Sequence, residues 1–370
     1  MYCVKVVEKR SVKKMDITMK ERAVGALMGA FIGEALGVGP HWYYDIEALR
    51  KDYGSWIDDY TAPKEGRYHD GLKPGDLSQQ GDLIRLVAEL LVSKNGYSTD
   101  EFCQMMDEKY LTTLDGTPMG GPGGYTSQSM RHLWKRRIKE HANWDEVASV
   151  ADTTEALERN IPLAIFYAND FRQLSQTIAS NTALTQSDNL VGSLSVAYNA
   201  VLAMLIRGEP LDENIGIKLM AEVKKGTLPF HAVTGDGLKP PERGKMANPN
   251  EGLFASPDAL LSPGYMALAA KDNDIKIEPA WKVSLVYGMP CAIYHMLPAV
   301  YYLSARYHND FEKGILHAIN GGGQNQVRAM LTGALIGAQV GINGIPSRLI
   351  NGLTDNRALL KLANELSLQL

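Results

Sequence analysis

From Lys20 to Val38 the apolar positions Ala23, Leu27, Phe31 and Leu36 return at helical spacing, with Gly25, Gly29, Gly33 and Gly37 recurring every fourth residue between them. The pattern predicts a helix over 20–38 with one smooth face for close packing, ended by Pro40. Apolar returns at three and four residues predict further helices over Asp82–Val92, Thr99–Leu111, Gln128–Glu140, Trp144–Glu158, Pro162–Asn181, Asn189–Ile206 and Asn214–Val223. Four more follow, over Pro279–Tyr302, Phe311–Ala318, Val327–Gly341 and Ser347–Glu365. Thr227 to about Pro263 reads as one long loop region carrying Pro240, Pro241, Pro249 and Pro257, either a lid over a cleft or a surface excursion. Thr112–Tyr125, with Gly116, Gly120, Gly121, Gly123 and Gly124, is a second loop, open to close backbone approach by a ligand or merely irregular. Strand alternation is confined to the N-terminal tail, where residues 1–17 are basic and β-branched and read as a flexible arm or an added edge strand. The expected fold class is all-α, with residues 1–19 an extension and 20–370 a single helical domain.

At 370 residues and 45% hydrophobic composition the chain can bury a large core. A formal net charge of -4 with both signs interspersed argues against generic nucleic-acid binding. The first residues carry positive charge but no apolar h-region, and Gly, Pro or charged residues interrupt the later apolar runs short of the roughly 18 needed to span a bilayer. Neither a signal peptide nor a membrane span is expected. Cys3, Cys103 and Cys291 are far apart and lack zinc-like spacing, which fits a reducing compartment and a cytoplasmic protein. Nothing in the pattern sets the oligomeric state.

Four segments carry candidate chemistry: Gly29–Gly37 followed by Pro40-His41-Trp42-Tyr43-Tyr44; Leu77–Leu83; Thr185-Gln186-Ser187-Asp188; and Asn320–Val327 with the small-residue run Gly333–Ala338. Together, from about Arg22 to Gly344 and most weakly over 208–279, they resemble the ADP-ribosylglycohydrolase superfamily. The resemblance implies that Glu34 stands where the opening Gly-x-x-x-Gly-Asp-Ala-Leu-Gly segment has its acidic residue, near the active site. It implies that Ser78-Gln79-Gln80-Gly81 replaces a magnesium-binding Thr-Asp-Asp-Thr, with Gln79 and Gln80 at the two aspartates. In the C-terminal Gly-Gly-Asp-Thr-Asp-Thr run, Gly323 and Asn325 stand at the aspartates and Gln324 and Gln326 at the threonines. Gln186 takes an imidazole position, while Asp188 keeps the acid. The runs His41–Tyr44 and Arg67-Tyr68-His69, together with Arg328, resemble the branch of the jellyfish J-type crystallins.

Local chemistry offers a second role for each of these residues. His41 and His69 suit structural hydrogen bonding beside aromatics, and Trp42 suits either core packing or stacking on a ligand ring. Asp76 and Asp188 are natural helix caps, with Asp76 alternatively a substitute carboxylate facing a cleft, and Asp82 is a helix-terminal anion. Arg328 can bind a phosphate or carboxylate, or pair with Glu34 or Asp82.

The resemblance implies cleavage of the bond between the anomeric carbon of ADP-ribose and a side chain, with magnesium orienting the ribose and activating water. Side-chain amides supply no charge and no base. No cofactor is therefore expected, and any magnesium binding should be weak. Catalytic candidates are Glu34, Asp76 and Asp82. Substrate-binding candidates are His41, Trp42, His69, Gln79, Gln80, Gln186, Asp188, Gln324, Asn325 and Arg328, and Glu34 and Arg328 are expected to face one cavity with Gln79, Gln80 and Asn325. One expectation is a protein binding an ADP-ribose, nucleoside or related ribosyl ligand, with metal-independent N- or O-glycosidic hydrolysis. The alternatives are a catalytically inactive binding, regulatory or crystallin-like structural protein, and different small-molecule chemistry in the same cleft.

Overall fold

The computed structural model describes residues 17–230, 253–254 and 258–370. Its helices are α1 (Met19–Val38), α2 (Ile46–Tyr53), α3 (Gln79–Lys94), α4 (Thr99–Met105), α5 (Gln128–Trp134), α6 (Glu155–Arg159), α7 (Ile161–Phe166), α8 (Phe171–Ala183) and α9 (Asn189–Ile206). They continue with α10 (Ile215–Lys224), α11 (Asp258–Lys271), α12 (Val283–Tyr287), α13 (Ile293–Arg306), α14 (Phe311–Ile319), α15 (Asn325–Val340), α16 (Ser347–Gly352) and α17 (Asn356–Ser367). Among the described residues there are isolated bridges but no strands, so the chain is all-α as its periodicity predicts.

The centre is an antiparallel pair, α1 against α15. Thr18 opens α1 with a capping box, accepting from Glu21 N at 3.2 Å while the Glu21 carboxylate accepts from Thr18 N at 2.8 Å. The glycines then let the two backbones touch: a Cβ on Gly29 would sit 2.2 Å from the carbonyl oxygen of Gly333, and one on Gly333 2.2 Å from that of Gly29. Gly25 meets Gly337 and Gly33 meets Ala329 in the same way. α3, α7, α9, α14 and α17 pack around the pair, and one apolar core runs from Ala23 to Leu366. α9 is long and apolar enough to cross a bilayer by length and composition, but 89% of it is buried inside the fold, as a core helix is.

The structure breaks several predicted helices. Trp144–Glu158 is a short 3-10 turn, an extended stretch bridged to Gln186 and Ala292, and then α6. Pro162–Asn181 divides at Asp170, whose carboxylate caps α8 by accepting from Gln173 N at 2.9 Å. Pro279–Tyr302 divides at Gly288, where φ is 118°, and Ser347–Glu365 divides before Asp355. Conversely, α2 and α11 were not predicted. α11 begins inside the expected loop region and accommodates Pro263, burying Ala259, Leu260, Pro263, Gly264 and Ala267 on one face. The edge-strand reading of residues 1–16 and the lid reading of 231–252 lie outside the described residues.

Candidate functional site

The C-terminal half of α1 and the N-termini of α3 and α15 converge on Glu34, which is fully buried. Its Oε1 accepts from Ser78 N at 3.0 Å, from Gln326 Nε2 at 2.9 Å and, in a short contact, from Ser78 Oγ. Ser78 also caps α3, its Oγ accepting from Gln80 N at 3.3 Å. Gly81 leaves the carboxylate room, since a Cβ there would lie 2.9 Å from Glu34 Oε2. Burial pushes the Glu34 pKa up to about 8, against the Ser78 hydrogen bonds and with a further push from the Asp82 charge. Burial therefore favours the protonated, neutral form of this carboxyl.

A second network runs beside it. His41 Nδ1 lies 2.7 Å from His69 Nε2, His41 Nε2 lies 2.7 Å from Gln324 Oε1, an atom interchangeable with Nε2 by turning the amide over, and His69 Nδ1 lies 2.6 Å from the carbonyl of Gly123. The carbonyl requires a proton on His69 Nδ1, so in a neutral pair His41 Nδ1–H donates to His69 Nε2. His41 Nε2 is then an acceptor, and the amide nitrogen of Gln324 must face it. With the amide oxygen turned to the ring, the three contacts need three ring protons and the pair carries a positive charge. Burial holds His41 well below the usual range, with the neighbouring His69 adding to it, and lowers His69 to about 4. The neutral chain, with Gln324 donating, is thus the consistent one. Trp42 and His69 both adopt left-handed backbone, at φ 62° and 68°. These turns stack Trp42 edge-on against Tyr68 and Tyr125 at 4.7 and 4.8 Å.

The remaining candidates separate. Arg328 is fully buried, but its Nε donates to Ala318 O at 3.0 Å and its Nη2 to Gly322 O at 2.5 Å, so the expected pairing with Glu34 or Asp82 is not formed. Two main-chain carbonyls at the turn between α14 and α15 reach the guanidinium before any carboxylate does. Burial lowers its pKa to about 10. Asn325 Nδ2 donates to Pro40 O and Ile319 O, both at 3.0 Å, clamping the end of α1 to the start of α15. Gln186 holds the turn before α6 through Ala151 O, Thr153 O and Ala156 N, each at 2.9 Å. Asp188 caps α9 as expected. Asp76 does not cap α3; it accepts from Lys73 N at 2.8 Å and from Thr354 Oγ1 at 2.6 Å. Asp76 and Asp82 share a shallow surface pocket with Thr354 and Asp355, while Gln79 and Asp82 line a groove on the outer face of α3.

Two buried acids escaped the sequence reading. On α6, Glu158 is 1% exposed and accepts from Thr154 Oγ1 at 2.6 Å, and Glu155 is bonded by Thr153 Oγ1. Burial, then Glu155 and more weakly Glu34, push the Glu158 pKa up to about 8. Arg159 beside it turns instead to Asn181 and Thr185. The available signal was two glutamates three apart just ahead of the apolar run Ile161–Phe166. The glycine loop comes close to the protein's own chain: a Cβ on Gly123, whose φ is 76°, would lie 3.0 Å from Gln79 N, and one on Gly124 3.1 Å from His69 Cα.

For divalent ions the described residues contain no cluster of three or more His, Cys, Asp or Glu side chains placed to hold one. Gln80 Oε1 and Asn325 Oδ1 are buried oxygen acceptors without hydrogen-bond donors, but they bring no negative charge.

A sequence model of the ADP-ribosylglycohydrolase family matches residues 15–370. A protein of Archaeoglobus fulgidus described as uncharacterized is 22% identical over 349 residues, covering 94% of this chain and 96% of its own. A solved structure described as an ADP-ribosylglycohydrolase-related protein complex superposes with a TM-score of 0.59 at 18% identity, covering 95% of this chain and 98% of its own; it establishes the shared all-α fold.

Proposed function

This chain belongs to the ADP-ribosylglycohydrolase family, and from that premise we propose that it is a catalytically inactive member, serving as a binding or structural protein of the crystallin-like kind. The observation that carries this reading is the saturation of Glu34: the carboxyl at the meeting of α1, α3 and α15 is bonded by Ser78 and Gln326 of its own chain. Gln79, Gln80 and Asn325 are read as neutral replacements for metal-binding aspartates, and Gly323 as a deletion of one. Neutral oxygens do not compensate the dehydration of magnesium, so this donor set does not fit a paired magnesium centre. The runs His41–Tyr44 and Arg67–His69, with Arg328, support placing the chain in the J-type crystallin branch, and the free thiols Cys103 and Cys291 support a cytoplasmic location.

Binding and metal-independent hydrolysis of a ribosyl or nucleotide-like ligand is the second reading, favoured by the two partnerless acceptors Gln80 Oε1 and Asn325 Oδ1, which suit hydroxyl donors. The two readings separate in one assay. Release of ADP-ribose from an ADP-ribosylated peptide is followed with and without magnesium, alongside calorimetric titration of ADP-ribose. The proposal expects no release above the uncatalysed rate under either condition. Release that disappears in Glu34→Gln would establish the hydrolase reading instead.

A further inference from the structure

We propose that the outer face of α3 carries a binding site for a small, neutral, planar ligand that presents an amide-type edge, with an N–H donor and a C=O acceptor side by side. A groove of about 320 Å³ runs there, and Gln79 and Tyr110 line it. Both side chains are only 3% exposed. The amide nitrogen and oxygen of Gln79 and the hydroxyl of Tyr110 are buried without a hydrogen-bond partner, and they do not bond each other. A fold that withdraws three polar atoms from water and leaves them unpaired pays a penalty that a ligand supplying the matching groups would remove.

The chemistry of the ligand follows from those atoms. A side-chain amide offers one donor and one acceptor in a plane, and its complement is another amide edge: a carboxamide, a lactam or a pyrimidine dione. Leu86 and Pro122 give the groove apolar walls for the rest of a flat molecule. The ionic side chains along it are balanced, Asp82 and Glu89 against Arg85 and Lys109, and Arg85 is paired with Glu89 at 2.9 Å, so neither an anion nor a cation is selected. The backbone also shapes the inner end. Gly121, at φ 82°, lies over the Gln79 amide, where a Cβ would come within 3.2 Å of Nε2. Tyr110 closes the π-helical turn Met106–Tyr110, a geometry often found where a helix is adapted to a site.

Benzamide is the probe, with N,N-dimethylbenzamide, which lacks the N–H, and benzoate, which is charged, as comparisons. Ligand-observed NMR and calorimetry on the full chain, at up to about 10 mM probe, should detect benzamide and neither comparison compound. Gln79→Leu and Tyr110→Phe should each weaken benzamide about tenfold, while their unfolding midpoints hold or rise because the deleted polar atoms had no partner. Tyr110→Phe preserves the ring and keeps the test open if Gln79→Leu does not fold. Absence of benzamide binding to the wild type overturns the proposal. So does benzoate binding as well as benzamide, or benzamide binding that is unchanged in the variants that fold.

Discussion

At Glu34 burial and hydrogen bonding pull in opposite directions, and burial wins, raising the pKa to about 8. Between its ordinary value near 4.5 and about 8 the unfolded chain has ionised this carboxyl while the folded chain keeps the proton. Stability contributed by the group is therefore present at low pH and is lost as pH rises through that window. Glu34→Gln keeps a neutral planar group and removes the titration. Thermal unfolding followed from about pH 5 to about pH 8 should show the midpoint of the variant gaining on the wild type as pH rises. A constant difference would mean that Glu34 is ionised in the fold. The imidazole pair yields a separate expectation. Gln324→Glu replaces a donor by a group that only accepts, so the His41–His69 pair must take up a third ring proton. Nitrogen-15 NMR at pH 7 should find two neutral rings in the wild type and a protonated pair in the variant. The sequence marks His41, His69 and Gln324 as candidates, but the bond between His41 and Gln324 joins positions 283 residues apart, a distance no local pattern spans.

Elements were legible where one apolar stripe persisted and illegible where a short polar device interrupted it. The glycine at every fourth position of α1 announced a helix with a smooth face for close packing, and the backbone approach of Gly29 to Gly333 on α15 is where that packing occurs. Gly29→Ala should cost about 1–3 kcal/mol or more in urea denaturation, since neither opposing backbone can withdraw. Gly96→Ala, with nothing within 4 Å of its added Cβ, should stay within about 0.5 kcal/mol. Equal effects would show that α1 and α15 are not closely packed. Periodicity missed α2 because it buries only Leu49, and its start is set by the Asp45 cap. It also missed α11, since Pro263 within that helix reads as a loop signal, although a tertiary contact overrides it: Gly264 packs against the backbone of Glu213.

On the scale of the whole molecule, the family's fold is retained around a junction where Glu34 is bonded by Ser78 and Gln326 and Arg328 by main-chain carbonyls. The sequence showed which side chains stand there, and that the aspartates expected from the resemblance are amides or glycine. It did not show that Glu34 would be held by Ser78 and Gln326, or that Arg328 would be taken by main-chain carbonyls, because those outcomes depend on how three helix ends meet. At this junction Glu34 is held by Ser78 and Gln326, and the groups around it are amides and an arginine, so it lacks the carboxylates of a cation cradle. Calorimetric titration of magnesium into protein stripped of divalent ions tests it most directly, with the unfolding midpoint recorded at each addition. No saturable heat and no shift in midpoint are expected at millimolar magnesium. Tight binding of two ions per chain, with a midpoint that climbs as magnesium is added, would contradict it.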